Sequence, residues 1–128
     1  DTHINQDFQQ RRLFNELNGA VKAFVKDLKA NNRFDDVLLF SFSEFGRRVA
    51  QNASGGTDHG KANNMFFVSG ALKQKGIYNA LPDLNKLDDG DLQFQMDFRE
   101  VYATVLEKWL GTDAEPILKQ RMQPLNFI

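Results

Sequence analysis

Apolar residues recur at spacings of three and four through Phe14, Leu17, Val21, Phe24 and Leu28. That stripe predicts an amphipathic helix from about Gln6 to Ala30. Asn5 is placed to cap it, Asp7 lies in its first turn, and Lys22, Lys26 and Lys29 fall toward the other end. Asn31-Asn32 ends it, and Gly19 inside the pattern points to close packing. Val37-Leu38-Leu39-Phe40-Ser41-Phe42 is a continuous apolar run rather than an alternating one. Strands covered on both faces read this way, as in parallel sheets. Met65-Phe66-Phe67-Val68 reads as a second such strand. Between them, Ser43 to Asn64 is polar, rich in Gly, Asn, Ser and Asp, and without hydrophobic periodicity. A stretch of that kind reads as a long functional loop. Ile77-Tyr78 is a candidate short edge strand or hairpin.

Asp97-Phe98-Arg99-Glu100 has capping-box spacing. Phe98, Val101, Tyr102, Val105, Leu106 and Trp109 form one face of the helix it starts, and Gly111 is its stop. Asp113 can cap a last short helix over about Ala114 to Met122. Phe66, Phe67 and Trp109 are assigned to the core. The expected fold class is α/β: a short, mostly parallel sheet flanked by the long N-terminal helix and a C-terminal helix.

The 128 residues have the size of one domain. Sixteen basic and seventeen acidic residues leave a net charge of −1. No broad basic field exists to hold a duplex or an anionic membrane, so nucleic acid is not an expected partner. No apolar run approaches the roughly 18 residues of a membrane span. The chain has no cysteine, which excludes disulfides, thiolate metal sites and cysteine nucleophiles. It opens on Asp1-Thr2-His3 with neither a methionine nor a signal peptide. The expectation is a single domain that is a fragment of a larger one. The remainder of the parent chain is then its first partner, and self-association through exposed edges is expected.

Three polar segments carry candidate chemistry. Ser43-Glu44-Phe45-Gly46-Arg47-Arg48 follows a buried strand, where ligands bind in open α/β sheets. Glu44 is then a functional carboxylate and Arg47 an anion contact, or else Glu44 pairs with an arginine at the sheet rim. Gly55-Gly56-Thr57-Asp58-His59-Gly60 sets a hard oxygen beside an imidazole, a donor pair for a divalent ion. The alternative is a flexible turn with an exposed histidine. Asp1-Thr2-His3 again sets acid near histidine, against the alternative of a frayed end. Both histidines of the chain lie close to an aspartate in polar segments, so the three segments could converge on one rim. No Gly-x-Ser-x-Gly elbow and no phosphate-binding loop ending in Lys-Ser/Thr is present.

These blocks in this order, with Asp36-Val37 before Ser43-Glu44-Phe45-Gly46-Arg47 and Asp97-Phe98-Arg99-Glu100-Val101-Tyr102-Ala103-Thr104 running to Trp109-Leu110-Gly111, resemble the C-terminal part of a DUF1501 protein. The resemblance places the chain in the alkaline phosphatase/sulfatase superfamily. It implies an exported bacterial parent, in the periplasm or cell envelope, and part of an α/β sandwich with a mostly parallel sheet. It further implies hydrolysis of phosphate or sulfate esters at clustered divalent metals (zinc, manganese or calcium). By the superfamily's ligand order, Asp1 and His3 match its Asp…His pair, Glu44-Phe45 its Asp-His position, and His59, with Asp58, its final histidine. Phe45 stands where a histidine ligand is expected. The nucleophile is expected upstream, so the chain alone is not expected to be a competent hydrolase. A scaffold without catalysis, serving binding or assembly at the cell envelope, is the alternative implied by Phe45.

Overall fold

A 25-residue helix, α1 (Gln6–Ala30), forms where the apolar stripe predicts it, in a computed structural model that describes all of residues 1–128. Contacts divide the chain into two units: Asp1–Gly70 with Pro82–Gln93, and Ala71–Leu81 with Phe94–Ile128.

In the first unit α1 buries none of its residues. Phe14, Leu17 and Phe24 of the predicted stripe stand exposed, so α1 does not cover the sheet. The helix is held at its ends. Asn5 caps it in a left-handed conformation (φ 46°) without a side-chain bond. Instead the Asn5 and Gln6 N–H groups donate to the carbonyls of Ser54 and Gly55, each at 3.0 Å. At the other end Lys29 sits 4.9 Å over the ring of Phe34, in a single 3-10 turn, Phe34–Asp36. Gly19 has nothing within 4 Å of where a Cβ would stand, so it marks no close packing.

The sheet is the main departure from expectation. Strands β1 (Leu39–Phe40), β2 (Gly46–Gln51), β3 (Thr57–Gly60), β4 (Phe67–Val68), β5 (Leu87–Asp88) and β6 (Asp91–Leu92) form three two-stranded pairs: β1 with β4, β2 with β3, and β5 with β6. All three are antiparallel, not parallel. A parallel pair needs a crossover, usually a helix, and the chain between Phe40 and Phe67 holds a hairpin and no helix. The two apolar runs do meet, Leu39 opposite Val68 and Phe40 opposite Phe67, with the phenyl rings stacked at 5.4 Å. Only two residues of each run enter the ladder, and Phe42 and Phe66 are exposed.

The polar stretch read as a loop contains the longest ladder, β2–β3. It was invisible to hydrophobic alternation because Arg47, Arg48, Gln51, Thr57, Asp58 and His59 supply its side chains. Gly46 and Gly60 face each other across it, and a Cβ on Gly46 would lie 1.5 Å from the Ala62 carbonyl oxygen. Ile77-Tyr78 forms no strand. The small hairpin instead is β5–β6, turning on Asp89 (φ 51°) and Gly90 (φ 78°), the positive angles a two-residue type I′ turn requires. Lys61 reaches Asp88 at 2.7 Å. Arg48 reaches the Asp89 carbonyl and stands 3.9 Å from the buried Asp91 carboxylate.

In the second unit Asp97 starts α2 (Phe98–Thr104) with the capping box its spacing predicts. The helix widens into one π turn, Val105–Trp109, and stops at Gly111 (φ 65°). Val101, Ala103 and Val105 are buried, together with Ala114, Phe127 and Ile128, while Phe98 is exposed. Thr104 is fully buried, its hydroxyl donating to the Glu100 carbonyl at 2.6 Å and accepting from Leu125 N–H at 2.7 Å. The last helix, α3 (Glu115–Leu118), is shorter than predicted because Lys119 turns left-handed (φ 58°). Asp113 still accepts from the N–H of Glu115 at 3.0 Å.

Candidate metal centre

The β2–β3 ladder sets Arg47 directly opposite His59. Phe45, two residues before Arg47, stacks flat on the His59 ring, with centroids 3.5 Å apart and planes 11° from parallel. The segment Asp1–His3 lies over this pair. The Arg47 guanidinium donates to Asp1 Oδ1 at 2.6 Å and to the Thr57 carbonyl at 2.9 Å. It also lies 3.4 Å from the hydroxyl of the buried Thr2.

His3 shares that carbonyl. Its Nδ1 lies 3.1 Å from Thr57 O, and a carbonyl can only accept, so Nδ1 carries the ring proton. In the neutral ring, the form that can bind a metal, the lone pair of Nε2 then faces outward, 2.9 Å from Asp1 Oδ2 and 3.0 Å from His59 Nε2. His59 Nε2 lies 3.2 Å from the same Asp1 oxygen. Since His3 Nε2 and Asp1 Oδ2 are both acceptors, His59 Nε2–H is the donor to each. Three ligand atoms thus close a triangle, drawn from two imidazoles and one carboxylate.

The three atoms lie close enough together to be offered to a single metal ion. Sides of 2.9, 3.0 and 3.2 Å give a circumradius of about 1.8 Å, so one centre about 2.1 Å from each atom stands about 1 Å above their plane, at zinc bond lengths. A second-shell bond from the far nitrogen of a ligating histidine to a carbonyl is what such sites use to fix the tautomer. All three side chains are 38–46% exposed, which leaves the outer side of the triangle open. The His59 imidazole is held below its ordinary pKa, first by desolvation, then by the neighbouring His3 and Arg47. Phe45 covers one face of the His59 ring and His3 meets it at the Nε2 edge, so the ring loses water although 46% of the side chain remains exposed. A neutral His59 is the form that binds metal.

Of the residues expected from sequence, Asp1, His3 and His59 come together and Arg47 stands behind Asp1. Asp58 does not join the triangle. Its Oδ1 accepts from Asn52 Nδ2 at 3.1 Å and lies 3.7 Å from His3 Nδ1, the far side of the ring. Glu44 is exposed and outside the cluster. Sequence reasoning missed Asn52, whose Oδ1 accepts from the N–H groups of Ser54 and Gly56 at 3.0 Å. The Asn-x-Ser-Gly-Gly run was a turn signal that would have found it. Gly56 of the Gly55–Gly60 motif serves a close backbone approach: a Cβ there would lie 2.1 Å from the His3 carbonyl oxygen.

The DUF1501 profile, described as a protein of unknown function, matches residues 1–123. The chain belongs to the DUF1501 family. The match takes in Asp1, His3, Arg47 and His59, so the whole triangle and its brace are made of DUF1501 residues. Comparison with curated proteins and with solved structures gave no match. No helix of this DUF1501 chain is long and apolar enough to cross a membrane.

Proposed function

We propose that this chain carries a divalent metal on Asp1, His3 and His59 and forms part of a metal-dependent phosphate- or sulfate-ester hydrolase of the alkaline phosphatase type. The observation that carries the reading is the triangle of three ligand atoms 2.9–3.2 Å apart, with the His3 tautomer already set. The hydrolase class, the superfamily and export to the periplasm or envelope come from the sequence resemblance.

Bound there, the ion supplies a Lewis acid that polarises a phosphoryl or sulfuryl oxygen. The chain's own residues do the rest. His3 and His59 present their Nε2 atoms. Arg47 holds Asp1 by one oxygen and so turns the other into the triangle. Phe45 shields one face of His59 from water. In this reading the nucleophile comes from residues other than these 128.

Calorimetric titration with zinc and with manganese tests the metal. The expected result is one ion per chain, lost in His3→Ala and His59→Ala. Retained binding in both variants would sink the reading. Hydrolysis of p-nitrophenyl phosphate and p-nitrophenyl sulfate by the full-length parent then tests the reaction, with His59→Ala as control.

A second reading has one observation in its favour. Phe45 lies flat on His59 and Glu44 stands outside the cluster, so the segment aligned with a superfamily ligand pair supplies none. A metal-bound scaffold for binding or assembly predicts ion binding without hydrolysis in the same experiments.

A further inference from the structure

The side chain of Asn52 is bonded in both halves, and the two halves point to different tasks. A primary amide offers one acceptor oxygen and two donor N–H groups. The oxygen accepts from Ser54 N–H and Gly56 N–H, both at 3.0 Å, and so closes the β2–β3 turn. The Nδ2 group donates elsewhere, to the His3 carbonyl at 3.1 Å and to Asp58 Oδ1 at 3.1 Å. The first of those bonds reaches 49 residues along the chain.

A residue serving only the turn uses its oxygen, as an aspartate would. The donor half of Asn52 instead grips the backbone of a triangle residue. His3 is thereby held at two points: its carbonyl by Asn52, and its ring Nδ1 by the Thr57 carbonyl. Gly56 packs against the same peptide from below, with no room for a side chain. Asp58, steadied by Asn52, lies on the proton-bearing side of the His3 ring.

We propose that Asn52 is a positioning residue of the metal centre, coupling the hairpin turn to the placement of His3. This rests on the metal reading above. The bond to the His3 carbonyl fixes where His3 stands along the hairpin, and through it the 3.0 Å separation of the two Nε2 atoms, while the bond to Asp58 holds that carboxylate beside the His3 ring.

Asn52→Asp separates the two tasks. The substituted oxygen keeps both turn bonds, while the former donor becomes an oxygen facing a carbonyl and a carboxylate. The expected result is a hairpin that still folds, with the far-UV spectrum of the unsubstituted protein, a lower thermal midpoint from the two lost donor bonds, and zinc affinity lower by about 10- to 100-fold. In the metal-free protein, the ¹⁵N signals of the His3 ring should move from the Nδ1–H tautomer toward a mixture. A folded Asn52→Asp protein with unchanged zinc affinity and an unchanged His3 ring spectrum overturns the proposal. Should that variant fail to fold, the unsubstituted protein decides. Both Asn52 side-chain amide protons should exchange with solvent more slowly than those of an exposed asparagine, and free exchange overturns the proposal. Failure of the unsubstituted protein to bind zinc would instead sink the metal reading, with the ring spectrum and amide exchange still reporting on Asn52.

Discussion

Arg47 and Asp1 form the contact on which the triangle depends: Nη2 lies 2.6 Å from Oδ1, and the opposite carboxylate oxygen, Oδ2, is the one that meets both imidazoles. The same guanidinium donates to the Thr57 carbonyl that fixes His3. Arg47 therefore acts on one ligand directly and borders the support of another. Charge-assisted bonds of this kind are short and strongly directional.

Arg47→Ala should lower zinc affinity by about 10- to 100-fold, the usual effect of removing a residue that orients a metal ligand. Arg47→Lys should recover part of it, since one ammonium can reach Asp1 or the Thr57 carbonyl but lacks the fork to span both. Competition with a chromophoric chelator measures this. The sequence alone suggested that Arg47 contacts a substrate anion. Unchanged metal affinity in Arg47→Ala would return it to that role.

Gly56→Ala should damage the site. Its Cβ would stand 2.1 Å from the His3 carbonyl oxygen and 2.5 Å from the carbonyl carbon. Both are backbone, so the peptide carrying His3 has to move, and the Asn52 bond to that carbonyl moves with it. The expected result is weaker zinc binding and a lower thermal midpoint. Gly19→Ala is the contrasting case. Open space surrounds the position within α1, so alanine should stabilise by about 0.5–1 kcal/mol and leave zinc affinity alone. Thermal unfolding and zinc titration of the two variants check both halves. Equal zinc affinity in Gly56→Ala would mean that His3 can shift without cost.

The contrast between helix and hairpin shows what the sequence carried. α1 and α2 were legible because a 3.6-residue period and the Asp97–Glu100 capping box are local signals. That α1 keeps Phe14 and Leu17 exposed was not legible, since periodicity reports which face is apolar and not what covers it. The runs at Leu39 and Phe67 announced strands but not their direction, because an apolar run reports burial alone. The β2–β3 hairpin was hidden by its own chemistry: positions that in a core strand alternate with apolar residues here hold Arg47 and His59. The acid-histidine pairs did mark Asp1, His3 and His59. Sequence neighbourhood favoured Asp58 beside His59, whereas the triangle takes Asp1, 58 residues from His59, because adjacent strand residues point to opposite faces.

His59 should contribute little to proton release on metal uptake at pH 7.5. The His59 imidazole is held below its ordinary pKa by desolvation and by the neighbouring His3 and Arg47, so it is neutral there. Binding then moves the proton from Nε2 to Nδ1 rather than into solvent. As pH falls through the imidazole range, a proton must be expelled for each charged ring, so release rises and affinity drops. The depressed His59 pKa delays its share of that loss to lower pH than an ordinary histidine, near 6.5, would show. Zinc calorimetry in HEPES, Tris and MES, whose ionisation enthalpies differ, gives the proton count. A His59 ring found charged at pH 7.5 by ¹⁵N NMR of the metal-free protein would contradict this small share, whereas protons released by a zinc-bound water, which ionises near pH 7, would not.

The second unit offers a pH test that no metal enters. Asp97 Oδ1 accepts from the N–H of Arg99 at 2.9 Å, and the Arg99 guanidinium holds both carboxylate oxygens. Those bonds, led by the side-chain bond to Arg99, pull the Asp97 pKa below its ordinary value. The unfolded chain therefore takes up its proton at higher pH, near 3.9, than the folded one. Between the two values the unfolded state holds more protons, so stability rises with pH across that window. The contribution is present in full above about pH 5 and is lost as pH falls through the folded value. Asp97→Asn keeps an acceptor for the Arg99 N–H but has no charge to titrate, so its acid limb should be flatter than that of the unsubstituted protein. Asp97→Ala also loses the cap and should cost about 1 kcal/mol at pH 7. Urea unfolding between pH 2.5 and 7 measures all three, and identical acid limbs for the aspartate and asparagine proteins would show that the Arg99 contacts do not discriminate the charged carboxylate.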